Sequence, residues 1–84
     1  MANCYIKFNT IKEIQDFVRL SSRIKGTIDL VQGKYCVPAT SLMGIFIFNL
    51  EKPVKLKFDD DLTDIIMHTF KSFDIQQSSK VISN

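Results

Sequence analysis

The stretch ATSLMGIFIFNL, residues 39–50, opens with two hydroxyl side chains and then becomes almost entirely apolar. Ser41 stands directly before the apolar run, where a serine can cap the first turn of a helix. The same position tolerates a phosphoryl group, because the N-terminus of a helix favours negative charge. We therefore weigh two roles for Ser41, a structural helix cap and a regulatory phosphorylation site.

The other residues that could do chemistry are one histidine, His68, and two cysteines, Cys4 and Cys36. Two cysteines do not make a disulfide framework, and we expect both to be small buried residues with reduced thiols. A metal site built on them would need further ligands, and His68 lies on the far side of its helical pattern, where we expect it to be exposed. We predict no metal site, no cofactor and no catalytic residue.

The elements that must position Ser41 follow from hydrophobic periodicity. Alternating residues predict four strands, at 4–8, 27–31, 35–39 and 54–58. Apolar residues at helical spacing predict three helices, at 9–24, 41–50 and 59–73. The order β-α-β-β-α-β-α predicts an α+β domain with one four-stranded antiparallel sheet and three helices packed on one face. Pro38 has no N–H donor, so the third strand should lie at a sheet edge.

The boundaries of these elements have local signals of their own. Thr10 and Glu13 fit a capping box at the start of the first helix, and Gly26 suits its C-terminal cap. The segment at 74–84 has no clear period and predicts a frayed tail. We place the domain at residues 1–75 and a flexible C-terminal tail at residues 76–84.

Composition bounds the class of protein. A chain of 84 residues allows one domain, and 45% hydrophobic with 24% charged residues is typical of a globular protein. The net charge of +2, with scattered basic residues, does not predict nucleic-acid binding. The longest apolar run is far below the roughly 20 residues of a membrane span, and the start MANCYIKF lacks the apolar region of a signal peptide. We expect a cytoplasmic protein.

The second predicted helix carries apolar side chains all round, although a short helix in a two-layer fold buries only one stripe. Some of them must reach the surface, where an exposed apolar patch usually marks a contact surface. We expect this patch to bind a protein partner, with a homodimer contact and simple burial as the alternatives. The predicted contact residues are Leu42, Met43, Phe46 and Ile47.

The run GTIDLVQGKYCVPATSLMGIF, residues 26–46, resembles the central part of HPr, the histidine-containing phosphocarrier protein of the bacterial sugar phosphotransferase system. TSLMGI stands where the family has K-S-I-M-G-V, so Ser41 takes the place of the serine that a dedicated kinase phosphorylates in Gram-positive bacteria. LSSRI, residues 20–24, is similar to the TASKF/Y segment that ends the family's first helix. The resemblance implies an HPr fold, an open-faced β-sandwich, over roughly residues 3–75.

The chain departs from the family at the active site. The family's G-I-H-A-R-P-A segment aligns with FNTIKEI, which puts Thr10 at the histidine, Lys12 at the arginine and Glu13 at the proline. His68 lies in the last helix and cannot substitute. A phosphocarrier needs an imidazole nitrogen as nucleophile, and Thr10 does not supply one. Thr40 also replaces the family's lysine before the serine.

The resemblance and its departures together predict a degenerate HPr-like protein that is not an enzyme. It would act as a regulatory or adaptor protein through the Ser41 helix surface. Its partner would be a phosphotransferase component, the HPr kinase or a transcription regulator. The alternatives are an active HPr-type phosphocarrier and an unrelated α+β module that self-associates through the apolar patch.

Overall fold

Strands alternate with helices along residues 2–77, the part of the chain that the computed structural model describes. The elements are β1 (Ala2–Lys7), α1 (Ile11–Ser21), β2 (Ile28–Gln32), β3 (Tyr35–Pro38), α2 (Leu42–Ile45), β4 (Val54–Phe58), a 3-10 turn (Asp60–Leu62), α3 (Thr63–Thr69) and β5 (Asp74–Gln77). The described strands form a single antiparallel sheet. The predicted α+β class, with one antiparallel sheet and three α-helices, is confirmed.

The sheet has the strand order β3-β2-β4-β1-β5. The predicted count of four strands is wrong, because Asp74–Gln77 pairs with β1, with Asp74 opposite Lys7. Ile75 is the one apolar residue of that segment, too little for a recognisable period, and the strand is recognised only by its pairing with β1. The segment from residue 74 was expected to fray, which is wrong for β5. The remainder of the predicted tail, residues 78–84, lies outside the described residues.

The core lies on one side of the sheet. Alternate strand residues point to opposite faces, so every second residue of a strand faces this core. Cys4, Leu56 and Leu30 face one another across three neighbouring strands, and all three are buried. All three helices contribute buried residues to this cluster, and Phe17 of α1 stacks on Phe70, which directly follows α3, with a ring separation of 4.8 Å. The alternating positions on the other sheet face are exposed or half-buried.

Helix α1 ends earlier than its periodicity predicts. The final turn closes at Ser22, whose N–H donates to Val18 O at 3.1 Å, and the chain then turns before β2. Gly26 is therefore not the helix cap, but its φ of +129° is one that side-chain-bearing residues rarely adopt. A Cβ there would lie 2.8 Å from Leu62 Cδ1, so this turn is also packed against the start of α3.

Helices α2 and α3 are both shorter than predicted. Gln32 of β2 holds the backbone of Asn49: its Oε1 accepts from Asn49 N–H at 2.7 Å, and its Nε2 donates to Asn49 O at 3.0 Å. Helix α2 has only four residues, because the next N–H groups, from Phe46 to Phe48, bond three rather than four residues back and the chain continues in tighter turns. The start of the third predicted helix is a 3-10 turn, closed by Thr63 Oγ1 donating to Asp60 O at 2.8 Å.

Strand β3 lies at a sheet edge, as the proline predicts. Pro38 has no N–H, and its carbonyl accepts from Ser41 N–H at 3.1 Å, so this end of the edge offers little to another strand. The hairpin from β2 turns through Gly33 and Lys34, and Gly33 has a φ of +60° at the first turn position. Among residues 2–77 no helix has the length and apolar character needed to cross a bilayer.

Candidate functional site

Ser41 caps helix α2, as predicted. Its backbone is extended, with φ −97° and ψ 95°, and its Oγ accepts a hydrogen bond from Gly44 N–H at 3.1 Å. The residue is half-buried, between the end of β3 and the first turn of the helix. The cap role is therefore established by geometry, whereas phosphorylation of the same hydroxyl stays a prediction.

Gly44 lets this short helix approach β3 closely. A Cβ at Gly44 would lie 2.8 Å from Ser41 Oγ and 3.2 Å from Cβ and Cγ1 of Val37. A side chain at this position would force Ser41 Oγ to shift and Val37 to give by a few tenths of an ångström. Glycine thus fixes how α2 lies against the edge of the sheet.

The apolar side chains of α2 and the turn after it divide between core and surface. Ile45 is buried, and Leu42 is half-buried and packs against the core. Met43 is 80% exposed, Phe46 45% and Ile47 50%. Three of the four predicted contact residues therefore lie at the surface, and we call Met43, Phe46 and Ile47 the α2 surface.

The N-terminus of α1 is built around Thr10, Glu13 and Asn9. Thr10 Oγ1 accepts from Glu13 N–H at 3.1 Å, which confirms the predicted cap. The Glu13 carboxylate bonds one residue earlier than a capping box requires: Oε1 accepts from Asn9 N–H at 2.8 Å. A carboxylate near the first turn complements the positive end of the helix dipole. The chain thus supplies its own anion at the position where an external one would bind.

Lys12, which the HPr resemblance aligns with an arginine, forms an ion pair with a residue of its own helix. Its Nζ lies 3.3 Å from Asp16 Oδ2, and Arg19 Nη2 lies 2.6 Å from Asp16 Oδ1. The hydrogen bond from Arg19, followed by that from Lys12, lowers the pKa of Asp16 below its ordinary value. The structure therefore brings Lys12 to Asp16 rather than to a catalytic group at Thr10.

A depression of about 320 Å³ adjoins the start of α1. It is lined by Ile11, Ile14 and Leu50, with Lys7 and Glu51 among the polar residues at its border. Ile11, the first residue of α1, is 63% exposed. No local pattern could bring Leu50 beside Ile11, because the two belong to segments far apart in sequence.

The two cysteines differ in their surroundings. Cys4 is buried, which raises the pKa of its thiol to about 11, so it stays protonated at neutral pH. Cys36 is exposed, and the expectation that it is buried is wrong because it lies on edge strand β3, opposite Val31 and away from the core. His68 is exposed, as predicted. Within the described part of the chain, no group of histidine, cysteine, aspartate and glutamate is placed to hold a metal ion.

Comparisons of this chain with models of protein families, with curated proteins and with solved structures find no match. What fold and site define is therefore a class: an α+β protein with a serine-capped short helix beside exposed apolar side chains. The HPr family and the function that goes with it are carried by the sequence resemblance alone.

Proposed function

We propose that the protein is a cytoplasmic HPr-like regulatory or adaptor protein without phosphocarrier activity, which binds a protein partner through the α2 surface. The observation that carries this proposal is the exposure of Met43, Phe46 and Ile47 directly after the cap at Ser41. Neighbouring apolar side chains held at the surface of a small domain usually mark a contact surface. Methionine also adapts readily to the shape of a partner.

Two features support placing the protein in the HPr class. The TSLMGI segment carries the resemblance, and its serine lies at a helix N-terminus, as the family pattern implies. Apart from the 3-10 turn before α3, the elements before β5 occur in the order β-α-β-β-α-β-α, which supports the resemblance. Strand β5 is an addition to that pattern.

The N-terminus of α1 supports the absence of phosphoryl transfer. A carrier of this type needs a nucleophilic nitrogen and amide groups free to hold a phosphoryl group. Thr10 offers a hydroxyl that already accepts the Glu13 N–H, and the Glu13 carboxylate takes the Asn9 N–H. A phosphoryl group would meet this carboxylate and be repelled by it.

The N-terminus of α2 is where phosphorylation would regulate binding. A phosphate on Ser41 adds nearly two negative charges, and α2 has no acidic residue in its first turn to oppose them. The new charge would lie next to the apolar side chain of Met43. A partner that buries Met43 would then have to desolvate a phosphate, so modification would change which partner docks.

The phosphorylation half of the proposal is tested with purified HPr kinase and ATP, read out by intact mass. We expect one phosphate on the wild type and none on Ser41→Ala, while Ser72→Ala, an exposed serine outside α2, is modified like the wild type. Unmodified wild type, or a phosphate that persists in Ser41→Ala, would contradict the assignment of Ser41.

The docking half is tested with a matched pair of surface substitutions. Phe46 beside α2 and Ile65 on α3 are almost equally exposed, at 45% and 46%. We expect Phe46→Asp to weaken binding to the purified HPr kinase or to a phosphotransferase component at least tenfold, measured by calorimetry. Ile65→Asp should bind like the wild type, and equal loss in both variants would argue against the α2 surface.

Two further results would overturn the proposal in favour of its alternatives. Acid-labile phosphate on the protein, after incubation with the first enzyme of the phosphotransferase system and labelled phosphoenolpyruvate, would indicate an active phosphocarrier. A dimer seen by light scattering at several concentrations and lost in Phe46→Asp would indicate a self-associating module.

A further inference from the structure

A cleft of about 200 Å³ lies at the opposite end of α1 from Thr10. It is enclosed by the end of α1, the start of β2 and the segment that joins β3 to α2. Ser21, Ile28 and Ala39 are its buried residues, at 4%, 6% and 1% exposure, and Thr27, Pro38 and Thr40 are exposed at its border. The cleft is separate from the α2 surface and from the depression beside Ile11.

Ser21 is the unusual member of this cleft. Within residues 2–77, its Oγ is the one buried side-chain polar atom without a hydrogen-bond partner. A serine inside a helix can donate its hydroxyl to the carbonyl three or four residues earlier, but Ser21 Oγ makes no such bond to Val18 O or Phe17 O. A buried hydroxyl without a hydrogen-bond partner makes the folded protein less stable than alanine at the same position would. Hydrogen bonding within α1 therefore does not account for the hydroxyl of Ser21.

The lining of the cleft indicates what it can hold. Among its residues there is no charged side chain, so an ionic ligand would find no counter-charge. Ser21, Thr27 and Thr40 each carry a hydroxyl, which can both donate and accept. A volume of about 200 Å³ is large enough for several water molecules or for a small organic molecule. A small molecule bearing several hydroxyl groups matches this combination of size, neutrality and hydrogen bonding.

We propose that this cleft binds a small neutral polyol, with Ser21 Oγ as its deepest hydrogen-bonding contact. The serine hydroxyl turns between staggered positions about one bond, so it can meet a ligand without movement of the backbone. The wall formed by Pro38–Thr40 leads directly to Ser41, whose N–H donates to Pro38 O at 3.1 Å. A bound polyol would therefore steady the turn that enters α2. The proposal does not depend on the function proposed for the α2 surface.

The test uses the full chain and erythritol as the probe, followed by the amide resonances of the ¹⁵N-labelled protein. We expect saturable shifts at Gly26, Thr27, Ala39 and Thr40, and at least a tenfold weaker affinity in Ser21→Ala. Ser72→Ala, the same change on the turn after α3, should bind like the wild type. Sodium acetate, a charged probe smaller than erythritol, should give no saturable shifts at these amides.

A second measurement separates binding from folding. Because alanine removes only the hydroxyl that lacks a partner, Ser21→Ala should melt at or above the temperature of the wild type. Erythritol shifts that do not saturate, equal affinity in Ser21→Ala, or saturable binding of acetate would each overturn the proposal. So would a crystal soaked in erythritol that contains one water on Ser21 Oγ and no erythritol in the cleft.

Discussion

Helices α1 and α2 begin with the same hydrogen bond and differ in what surrounds it. Thr10 Oγ1 accepts from Glu13 N–H, and Ser41 Oγ accepts from Gly44 N–H, each at 3.1 Å. In α1 the third residue is an acid whose carboxylate also holds Asn9 N–H. In α2 the third residue is a glycine, and the first turn contains no acid.

This difference shows that a cap motif does not define the use of a helix N-terminus. At α1 the Glu13 carboxylate lies at the positive end of the helix and compensates its charge. At α2 the positive end has no such match, and exposed apolar side chains begin immediately beyond it at Met43. The residues around the cap, rather than the cap itself, distinguish a helix N-terminus with only a structural role from one that is a candidate binding site.

The largest effect is expected from a methyl group at the third position of α2. Alanine normally favours a helix over glycine by about 1 kcal/mol, but at Gly44 its Cβ would meet Ser41 Oγ and Val37. We expect Gly44→Ala to lower the free energy of unfolding by about 1–3 kcal/mol, as overpacking does. Urea denaturation measures this, with the exposed Gln15→Ala in α1 as a control. A Gly44→Ala variant as stable as the wild type would show that α2 does not need its close approach to β3.

Removal of the two cap hydroxyls should give unequal losses. The Gly44 N–H is part-buried, whereas the Glu13 N–H is exposed and water can replace its partner. We expect Ser41→Ala to cost about 1–2 kcal/mol of unfolding free energy and Thr10→Ala about 0.5–1 kcal/mol. Thermal unfolding of both variants in one buffer tests the order, and a larger loss in Thr10→Ala would reverse the comparison.

A smaller effect is expected from the charge of Glu13. Glu13→Gln keeps an oxygen that can accept from Asn9 N–H but removes the negative charge at the helix end. We expect a loss of about 0.3–1 kcal/mol at low ionic strength, which should shrink as salt is added. Glu51→Gln, outside any helix, serves as the control. A loss that does not respond to salt would mean that the charge is not the cause.

The smallest effect concerns the pH dependence of α1. Arg19, and then Lys12, lower the pKa of Asp16 below its ordinary value. The pairing therefore contributes its full stabilisation at pH values above the ordinary pKa, and this stabilisation is lost as pH falls through the lowered pKa. The pair is exposed, so the change in stability should be slight. The carboxyl carbon shift of Asp16 should titrate at higher pH in Arg19→Ala. Residues Leu42–Ile45 contain no ionisable side chain, so the comparison concerns α1 alone. An Asp16 titration midpoint that is unchanged in Arg19→Ala would show that the ion pair does not lower this pKa.

The sequence was sufficient wherever structure depends on neighbouring residues. Alternation located the first four strands, and the hydroxyls of Thr10 and Ser41 marked both helix starts, because these signals act within one turn or one strand. Pro38 placed β3 at an edge for an equally local reason, its missing donor. Three exposed side chains of the α2 surface followed from counting apolar residues on a helix too short to bury them.

What the sequence did not predict depends on contacts between distant segments. Strand β5 is defined by its pairing with β1, and Ile75 alone gives no local pattern. Helix α2 gives way to tighter turns after Ile45, and Gln32 of β2 holds Asn49 in the segment that follows. The cleft at Ser21 could not be foreseen, since a serine within an apolar stripe looks like a small packing residue until its hydroxyl is seen to lack a partner.

The position of β1 in the sheet has a consequence for how the protein folds. β1 is made first among the described strands, but it pairs only with β4 and β5, which come last. The backbone groups of β1 therefore lack their sheet hydrogen-bond partners until β4 and β5 have left the ribosome. Such non-local pairing slows folding and leaves a newly made strand open to wrong partners. The sheet should thus be completed only after β4 and β5 have been synthesised.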